Sequence, residues 1–135
     1  MQKLTTFLMF VGEQHGKAEE AMNLYVSLFK NSGIRNIERY GAGEEEPEGT
    51  VKHATFSLGG QEFMAMDSHQ QHDFTFTPSM SIFVQCDTEE EIDTVYKSLI
   101  EGGRALMPLG DYGFSRKFGW LADKYGVSWQ LNLAK

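Results

Sequence analysis

The sequence predicts an α+β fold made of two modules that follow one another along the chain. Each module has the order strand, helix, strand, strand, strand, and this repeated order is the first observation behind the prediction. The second observation is size, because 135 residues with 41% hydrophobic residues suffice for one ordinary domain. One module cannot close a core alone. We therefore expect the pair to form a curved mixed sheet with a concave cleft and the helices outside.

A polar segment separates the two modules. Residues 68–78 have the sequence SHQQHDFTFTP, which is typical of a linker. The first module then spans residues 1–68 and the second spans residues 79–135. We treat residues 1–135 as a single domain, because neither module is large enough to bury a core without the other.

The first module is predicted to have one helix and four strands. Apolar side chains recur at helical spacing over residues 18–29, and Asn31-Ser32-Gly33 ends that helix. Gly59-Gly60 is a typical two-residue turn, so it predicts that the last two strands form a hairpin. The four predicted strands cover residues 4–11, 34–40, 51–58 and 61–67.

The second module repeats this pattern. Thr88 begins its helix, with Glu91 three residues later as a capping box, and Gly102-Gly103 ends it. The turn over residues 123–126 predicts a second hairpin. The four predicted strands cover residues 80–86, 105–107, 117–122 and 127–133.

Composition limits the classes of partner. The chain has 12 basic and 19 acidic residues and a net charge of −7. This charge disfavours nucleic acid and anionic membrane surfaces and is compatible with a cationic ligand. We find no apolar run of membrane-spanning length, and the apolar patch near the N-terminus is too short for a signal peptide. The single cysteine, Cys86, excludes an internal disulfide, fits a buried core position, and favours a cytoplasmic location.

The last predicted strand raises a question about one amide. In the run DKYGVSWQLNL, the apolar residues from Val127 to Leu133 alternate with Ser128, Gln130 and Asn132. Gln130 therefore lies on the polar side of an otherwise apolar strand. It is a metal ligand, a polar group lining a pocket, or a residue facing water.

Five segments resemble a known superfamily. They are TTFLMFVG, AEEAMNLYVSLF, VKHATFSLGGQEFMAMD, MSIFVQCDTEEEIDTVYKSL and FGWLADKYGVSWQLNL, and they span nearly the whole chain. The order and sequence of these segments resemble the vicinal oxygen chelate superfamily of glyoxalases and bleomycin-resistance proteins. Within it they are most similar to the PhnB-like, or demethylubiquinone methyltransferase-like, branch. This resemblance implies paired β-α-β-β-β modules and a homodimer.

The resemblance also implies positions for a divalent metal, on the first, fourth, fifth and eighth strands. Only one of these positions has a ligand type of the superfamily, whereas a divalent ion needs several nitrogen or oxygen donors. We therefore expect no metal and no cofactor. Nor does the chain have the Gly-rich first turn of a conventional methyltransferase. The matching positions are Thr5 or Phe7, Met64 or Met66, Ser81, and Gln130.

Ten residues are predicted to line the cleft. Eight of them alternate toward one side of their strands, and His53 and Trp120 are added as a histidine within reach of the cleft and a ring at its entrance. Methionines and aromatic rings around a few polar groups describe an adaptable apolar pocket. The alternative is that the same side chains fill a core between the sheets. The ten residues are Phe7, Met9, His53, Met64, Met66, Ser81, Phe83, Trp120, Gln130 and Asn132.

The histidines each allow two interpretations. His53 is either a base that reaches the cleft or a half-exposed strand residue. His69 and His72, with Asp67 and Asp73 nearby, form either a metal-ligand cluster or part of a polar linker. We favour the second interpretation in both cases.

The charged residues allow two interpretations as well. We expect the acidic run at residues 44–46 and 48 to be solvated surface. Arg116 and Lys117 either hold an anionic substrate at the mouth of the cleft or are surface charges. Tyr112 and Phe114, beside Trp120, are predicted to shape the same entrance.

Three functions remain open at this point. The favoured one is a metal-free, homodimeric protein of glyoxalase fold that binds or sequesters a small, partly apolar molecule. The alternative is a metal-dependent lyase, isomerase or dioxygenase with an unusual ligand set that includes Gln130, with His53 as a further candidate. The third is a structural or partner-binding dimer whose cleft is closed by side chains.

Overall fold

A computed structural model of the chain describes residues 2–135, which divide into two compact units. The first unit ends at Thr75, and the second runs from Phe76 to Lys135. Over residues 2–135 the structure has eight strands and two α-helices, in the predicted order. The strands form two four-stranded mixed sheets, one in each unit, so the predicted α+β class is confirmed.

The first unit has its strands in the sheet order β1-β4-β3-β2. Strand β1 runs parallel to β4, and the other two pairs are antiparallel. The parallel pair is possible because the chain between β1 and β4 is long enough to cross over. The elements are β1 (Thr6–Phe10), a short 3-10 helix (Gly12–Gln14), α1 (Ala18–Leu28), β2 (Gly33–Arg39), β3 (Val51–Leu58) and β4 (Gln61–Asp67).

The second unit repeats this topology with the sheet order β5-β8-β7-β6. Strand β5 is parallel to β8, and the other pairs are antiparallel. The elements are β5 (Ser81–Cys86), α2 (Glu89–Ile100), β6 (Arg104–Gly110), β7 (Lys117–Ala122) and β8 (Ser128–Leu133). No helix among residues 2–135 is long and apolar enough to cross a membrane.

Each helix packs its apolar stripe on one face of its own sheet and leaves the other face open. The buried side chains of α1 are Ala18, Ala21, Met22 and Tyr25, at the spacing of one helix face. Those of α2 are Ile92, Val95 and Leu99. The open face of each sheet is therefore the part of the unit available for binding.

Local signals fix the ends of several elements. Thr88 Oγ1 accepts a hydrogen bond of 3.1 Å from the Glu91 N–H, so the predicted start of α2 is confirmed. Gly59 and Gly60 have φ values of +59° and +84°, as a two-residue hairpin turn with positive φ at both central positions requires. Both hairpins lie where the sequence placed them.

Some strand ends differ from the prediction because hydrogen bonding, rather than hydrophobicity, sets them. Strand β1 begins at Thr6, where its pairing with β4 begins. Strand β8 begins at Ser128, because the Val127 N–H is used by the Asp123 side chain in the preceding turn. Strand β6 is longer than predicted, and two irregularities in its register with β7 accommodate it.

Candidate functional site

The open face of the second unit holds a pocket of about 560 Å³. Alternation along β5, β7 and β8 directs Phe83, Trp120 and Gln130 to this face, where they occupy neighbouring positions in the sheet. A volume of this size is within the range of small-molecule sites. The lining residues are Phe83, Met107, Phe114, Ser115, Phe118, Trp120, Gln130 and Asn132.

Aromatic rings form most of the apolar wall. The rings of Phe114 and Phe118 meet edge to face at 5.1 Å, and Tyr112 stacks on Phe114 at 6.3 Å. Phe118 is buried, whereas Phe114 is 60% exposed and Phe83 is 56% exposed. The buried ring of Phe118 therefore forms the base of the wall, and the rings of Phe114 and Phe83 have exposed surface that a ligand can cover.

A hydrogen-bonded chain fixes the amide of Asn132 at one side of the pocket. Ser115 Oγ donates to Asn132 Oδ1, and Asn132 Nδ2 donates to Gln85 Oε1 at 3.0 Å. Both polar ends of the Asn132 amide are thus satisfied within the protein. Asn132 shapes the pocket and has little hydrogen-bonding capacity left for a ligand.

A second chain of hydrogen bonds holds Trp120. Its Nε1–H donates to Ser128 Oγ at 2.9 Å, and Ser128 Oγ is joined to Ser81 Oγ at 2.6 Å. The indole is thereby fixed with its ring against the pocket. Ser81, one of the predicted lining residues, supports Trp120 and is not among the residues that line the pocket.

Gln130 differs from its polar neighbours because its amide is not used. Its side chain is half-buried in the pocket. In the sheet, Gln130 pairs with Phe83 of β5 on one side and with Trp120 of β7 on the other. Among residues 2–135 we find no hydrogen bond to this side chain. Gln130 consequently offers one acceptor and two donors to a bound molecule. Gln130 thus lies in a pocket, and its role as a polar lining group for a ligand stays a prediction.

The first unit exposes a comparable apolar face on β1, β3 and β4. Met64 pairs with Phe7, and Met66 with Met9, across the parallel β1–β4 ladder. His53 Nε2 lies 3.2 Å from Met64 Sδ, and the His53 ring meets Phe7 edge to face at 5.9 Å. His53 is thus a half-buried strand histidine among apolar side chains, and no acidic partner contacts its ring within the described residues.

The ten predicted lining residues divide equally between the two units. Phe83, Trp120, Gln130 and Asn132 line the pocket of the second unit, and Ser81 supports it. The other five lie on the open face of the first unit. That the two faces line one cleft stays a prediction.

Sequence reasoning missed several residues of the pocket. Phe118 lies two residues before Trp120 on the same strand, so alternation alone was sufficient to find it. Met107 lies beside a register irregularity, where alternation fails. Ser115 lies in the loop before β7, and its only sequence signal was proximity to Phe114.

The residues at the metal positions do not fit a divalent ion. The Ser81 hydroxyl is bonded to Ser128, and the Met64 sulfur contacts His53, which leaves the Gln130 amide and the Thr5 hydroxyl as the oxygen donors of that set, too few for a divalent ion. Among residues 2–135, no group of three or more His, Cys, Asp or Glu side chains is placed to hold a metal ion. We therefore derive no chemistry through a metal.

The expectation for the acidic run was wrong at one position. Glu46 is 6% exposed, because its carboxylate binds the ring and backbone N–H of His69 and lies 3.4 Å from His15 Nε2. Burial raises the pKa of Glu46, but the hydrogen bonds from His69 and the nearby histidine charges outweigh burial, so its pKa is lowered from 4.5. His69 thus supports the loop through Glu46.

Two further expectations have clear outcomes. Lys117 forms ion pairs with Glu89 at 2.9 Å and Asp93 at 2.7 Å, both on α2, so it belongs to the helix side of the sheet and not to the pocket.

Cys86 is buried, and burial raises the pKa of its thiol to about 11, with smaller contributions from Glu91 and Asp87. A thiol with a raised pKa stays protonated near neutral pH, which agrees with the buried core position of Cys86.

Comparison with known proteins supports the architecture. The chain matches the model of the 3-demethylubiquinone-9 3-methyltransferase family over residues 2–132. The PhnB protein from Bacillus cereus is 64% identical, with a TM-score of 0.93 over 98% of this chain and 100% of that one. Protein PA1353 from Pseudomonas aeruginosa is 26% identical, with a TM-score of 0.81 over 99% and 98% of the two chains. A glyoxalase/bleomycin resistance protein/dioxygenase from Alicyclobacillus acidocaldarius is 12% identical, with a TM-score of 0.54 over 97% and 91%, and shows the fold alone.

The two β-α-β-β-β units, each with one open sheet face, have the same fold as the glyoxalase/bleomycin resistance protein/dioxygenase from Alicyclobacillus acidocaldarius. Its sequence is close to that of a PhnB protein over nearly the whole length of both chains. Within this class, the chain belongs to the 3-demethylubiquinone-9 3-methyltransferase family of PhnB-like proteins. The methyltransferase in that description is a family label, and we do not transfer it as an activity.

Proposed function

We propose that the protein binds a small, partly apolar molecule without using a metal, and that the pocket of the second unit is its binding site. The observation that supports this proposal is the unused amide of Gln130 in an aromatic pocket of about 560 Å³. An amide that neighbours Phe83 and Trp120 in the sheet gives a ligand orientation, and the rings give it buried area. We propose that the protein sequesters such a molecule in the cytoplasm.

The composition of the pocket favours binding over catalysis. All eight lining residues are aromatic, Met, Ser, Asn or Gln, so none supplies a general acid or base near neutral pH. The serine hydroxyl is engaged by Asn132, and no histidine contacts it within the described residues. Nucleophilic catalysis would need such a base.

The aromatic wall also indicates the class of ligand. Phe83, Phe114 and Trp120 present ring faces or edges that suit a planar ring or an organic cation. The net charge of −7 agrees with a neutral or cationic molecule better than with an anionic one. We therefore expect a planar aromatic compound with a hydrogen-bonding group that meets Gln130.

A rival proposal keeps the pocket but makes the protein a metal-dependent enzyme. This rival needs metal ligands in addition to Gln130, because the other superfamily positions do not supply them. His53 is one candidate. His53 contacts Met64 and Phe7 in its own unit, which supports the binding proposal. Metal content distinguishes the two proposals directly.

The first test measures bound metal in protein purified without a histidine tag and dialysed. The binding proposal predicts far less than one metal ion per chain. About one ion per chain, lost in Gln130→Ala, would establish the rival.

The second test is a thermal-shift screen of planar aromatic compounds, neutral and cationic, on the same protein. A hit should raise the melting temperature of the wild type and of a Gln61→Ala control, which changes an exposed strand glutamine. Gln130→Ala should weaken binding about tenfold, since a net hydrogen bond contributes roughly 1 kcal/mol and 1.4 kcal/mol is a factor of ten. If Gln130→Ala and Gln61→Ala bind the compound equally well, Gln130 does not contact the ligand.

A further inference from the structure

A second, polar pocket lies at one end of the sheet of the first unit. Its volume is about 390 Å³, and it forms where the chain turns from α1 into β2 beside the β3–β4 hairpin. It shares no residue with the aromatic pocket of the second unit. The lining residues are Asn31, Ser32, Gly33, Ile34, Arg35, Ser57 and Gly60.

Ser57 is the residue in this pocket that requires explanation. Its side chain is 3% exposed, and its hydroxyl oxygen is buried without a hydrogen-bond partner among residues 2–135. A buried hydroxyl without a partner costs free energy, so such groups are rare in folded proteins. Ser57 is among the residues that line the pocket, so a molecule held there supplies the missing hydrogen bond when the buried hydroxyl turns toward the space.

The space beside Ser57 exists because its partner on β2 is a glycine. Gly33 pairs with Ser57 across the β2–β3 ladder. A Cβ atom placed on Gly33 would meet no atom within 4 Å, so the space is open. The backbone of Gly33 does not have positive φ, and a larger residue is therefore compatible with this position.

Arg35 gives the pocket a positive charge. We find no ion pair or hydrogen bond to its guanidinium within residues 2–135, and its side chain is exposed. Residues 30–35, KNSGIR, contain two basic and no acidic residues in a chain whose net charge is −7. The acidic neighbour is Glu62, which pairs with Ser57 in register but is held by Lys3 at 2.5 Å.

We propose that this pocket binds a small oxyanion, either a phosphate or a carboxylate group. Arg35 donates to its oxygens as a planar cation, and the Ser57 hydroxyl donates to a third oxygen inside the pocket. The Ser32 hydroxyl is not available, because it donates to the Lys30 carbonyl and accepts from the Gly59 N–H. The volume exceeds that of a bare ion, so the anion is one end of a small organic molecule.

The test follows the backbone amide signals of Gly33, Ser57 and Gly60 by NMR during titration of the full chain. The probes are inorganic phosphate and acetate at constant ionic strength, with sodium chloride as the control. Shifts with either oxyanion, saturating at millimolar concentration and absent with chloride, are expected. Phosphate alone or acetate alone then identifies which of the two groups is bound.

Three variants and one control decide whether the pocket is responsible. Arg35→Gln should weaken the binding about tenfold, since it removes a charge-assisted donor. Gly33→Val should abolish binding by filling the space. Ser57→Ala should leave the protein folded and as stable as before without anion, but should bind more weakly. Arg104→Gln, at the start of β6, makes the same charge change on an exposed strand and should bind as the wild type does.

Two outcomes would overturn the proposal. One is the absence of oxyanion-dependent shifts, which would mean that water alone satisfies Ser57. Another is an equal loss of affinity in Arg35→Gln and Arg104→Gln, which would indicate non-specific screening. Neither outcome bears on the aromatic pocket, which is tested separately.

Discussion

Glu46 shows how much one residue depends on its tertiary neighbours. Its carboxylate is buried beneath the ring of His69 and beside His15, and it accepts the His69 backbone N–H at 2.8 Å. These contacts join the loop before β3 to the segments that follow β1 and β4. Removing the charge therefore tests whether this buried acid stabilises the first unit.

We predict that Glu46→Gln lowers the free energy of unfolding by about 1–2 kcal/mol at neutral pH, because it weakens hydrogen bonds to a charged acceptor. The pKa of Glu46 is lowered from 4.5, so its stabilising effect is present above that pH and is lost as pH falls through the folded-state pKa. The difference between wild type and variant should shrink accordingly in acid. Urea unfolding at several pH values measures it.

The matched control is Glu45→Gln, which makes the same charge change on an exposed neighbour in the same loop. It should alter stability by less than about 0.5 kcal/mol. A difference between Glu46→Gln and wild type that stays constant from neutral pH to pH 3 would show that the effect is steric and not electrostatic.

At the scale of elements, Gly103 determines how closely the chain after α2 approaches the end of β7. A Cβ on Gly103 would lie 2.2 Å from the Ala122 carbonyl oxygen and 2.9 Å from the Asp123 backbone. All these contacts are with backbone, which cannot move aside without breaking the β6–β7 pairing that begins at Arg104 and Ala122. Gly103 is required for close approach, in addition to its predicted role in ending the helix.

We predict that Gly103→Ala destabilises the protein by about 3 kcal/mol, at the upper end of overpacking effects. Gly110→Ala, at the far end of the strand that follows Gly103, is the control, because the nearest atom to its Cβ would be 3.8 Å away. The control should change stability by less than about 1 kcal/mol. Denaturant unfolding of both variants gives the comparison, and equal effects would contradict the assigned close approach.

At the scale of the whole molecule, exposed apolar side chains point to self-association. Leu4 is 91% exposed and Met80 is 75% exposed, and both lie just before the first strand of their unit. Phe7 and Phe83, on those strands, are also exposed. Large exposed apolar side chains are typical of interaction surfaces.

We predict that the protein is a homodimer, as its superfamily resemblance implies. Sedimentation equilibrium at micromolar concentration should give twice the chain mass of 15.3 kDa, with or without a chelator in the buffer. Leu4→Asp or Met80→Asp should lower the proportion of dimer if these side chains are covered by the partner. A mass of one chain under all conditions would reject the homodimer.

The sequence by itself determined the local parts of this structure. Helical spacing located α1 and α2, the Gly59-Gly60 turn fixed the β3–β4 hairpin, and Thr88 with Glu91 fixed the start of α2. These features depend on contacts between residues close in sequence, so pattern and turn chemistry suffice to find them. The alternation in β8 likewise placed Trp129 in the core and Gln130 on the opposite face.

Only the tertiary structure decided which residues meet across long separations in the sequence. It paired β5 with β8, placed Ser115 on Asn132, and buried Glu46 against His69. It also left Gln130 unbonded in one pocket and Ser57 unbonded in another. The physical reason is that the hydrogen-bond partners of a side chain are residues that the fold places beside it. Residue type and spacing show only which hydrogen bonds the side chain is able to make.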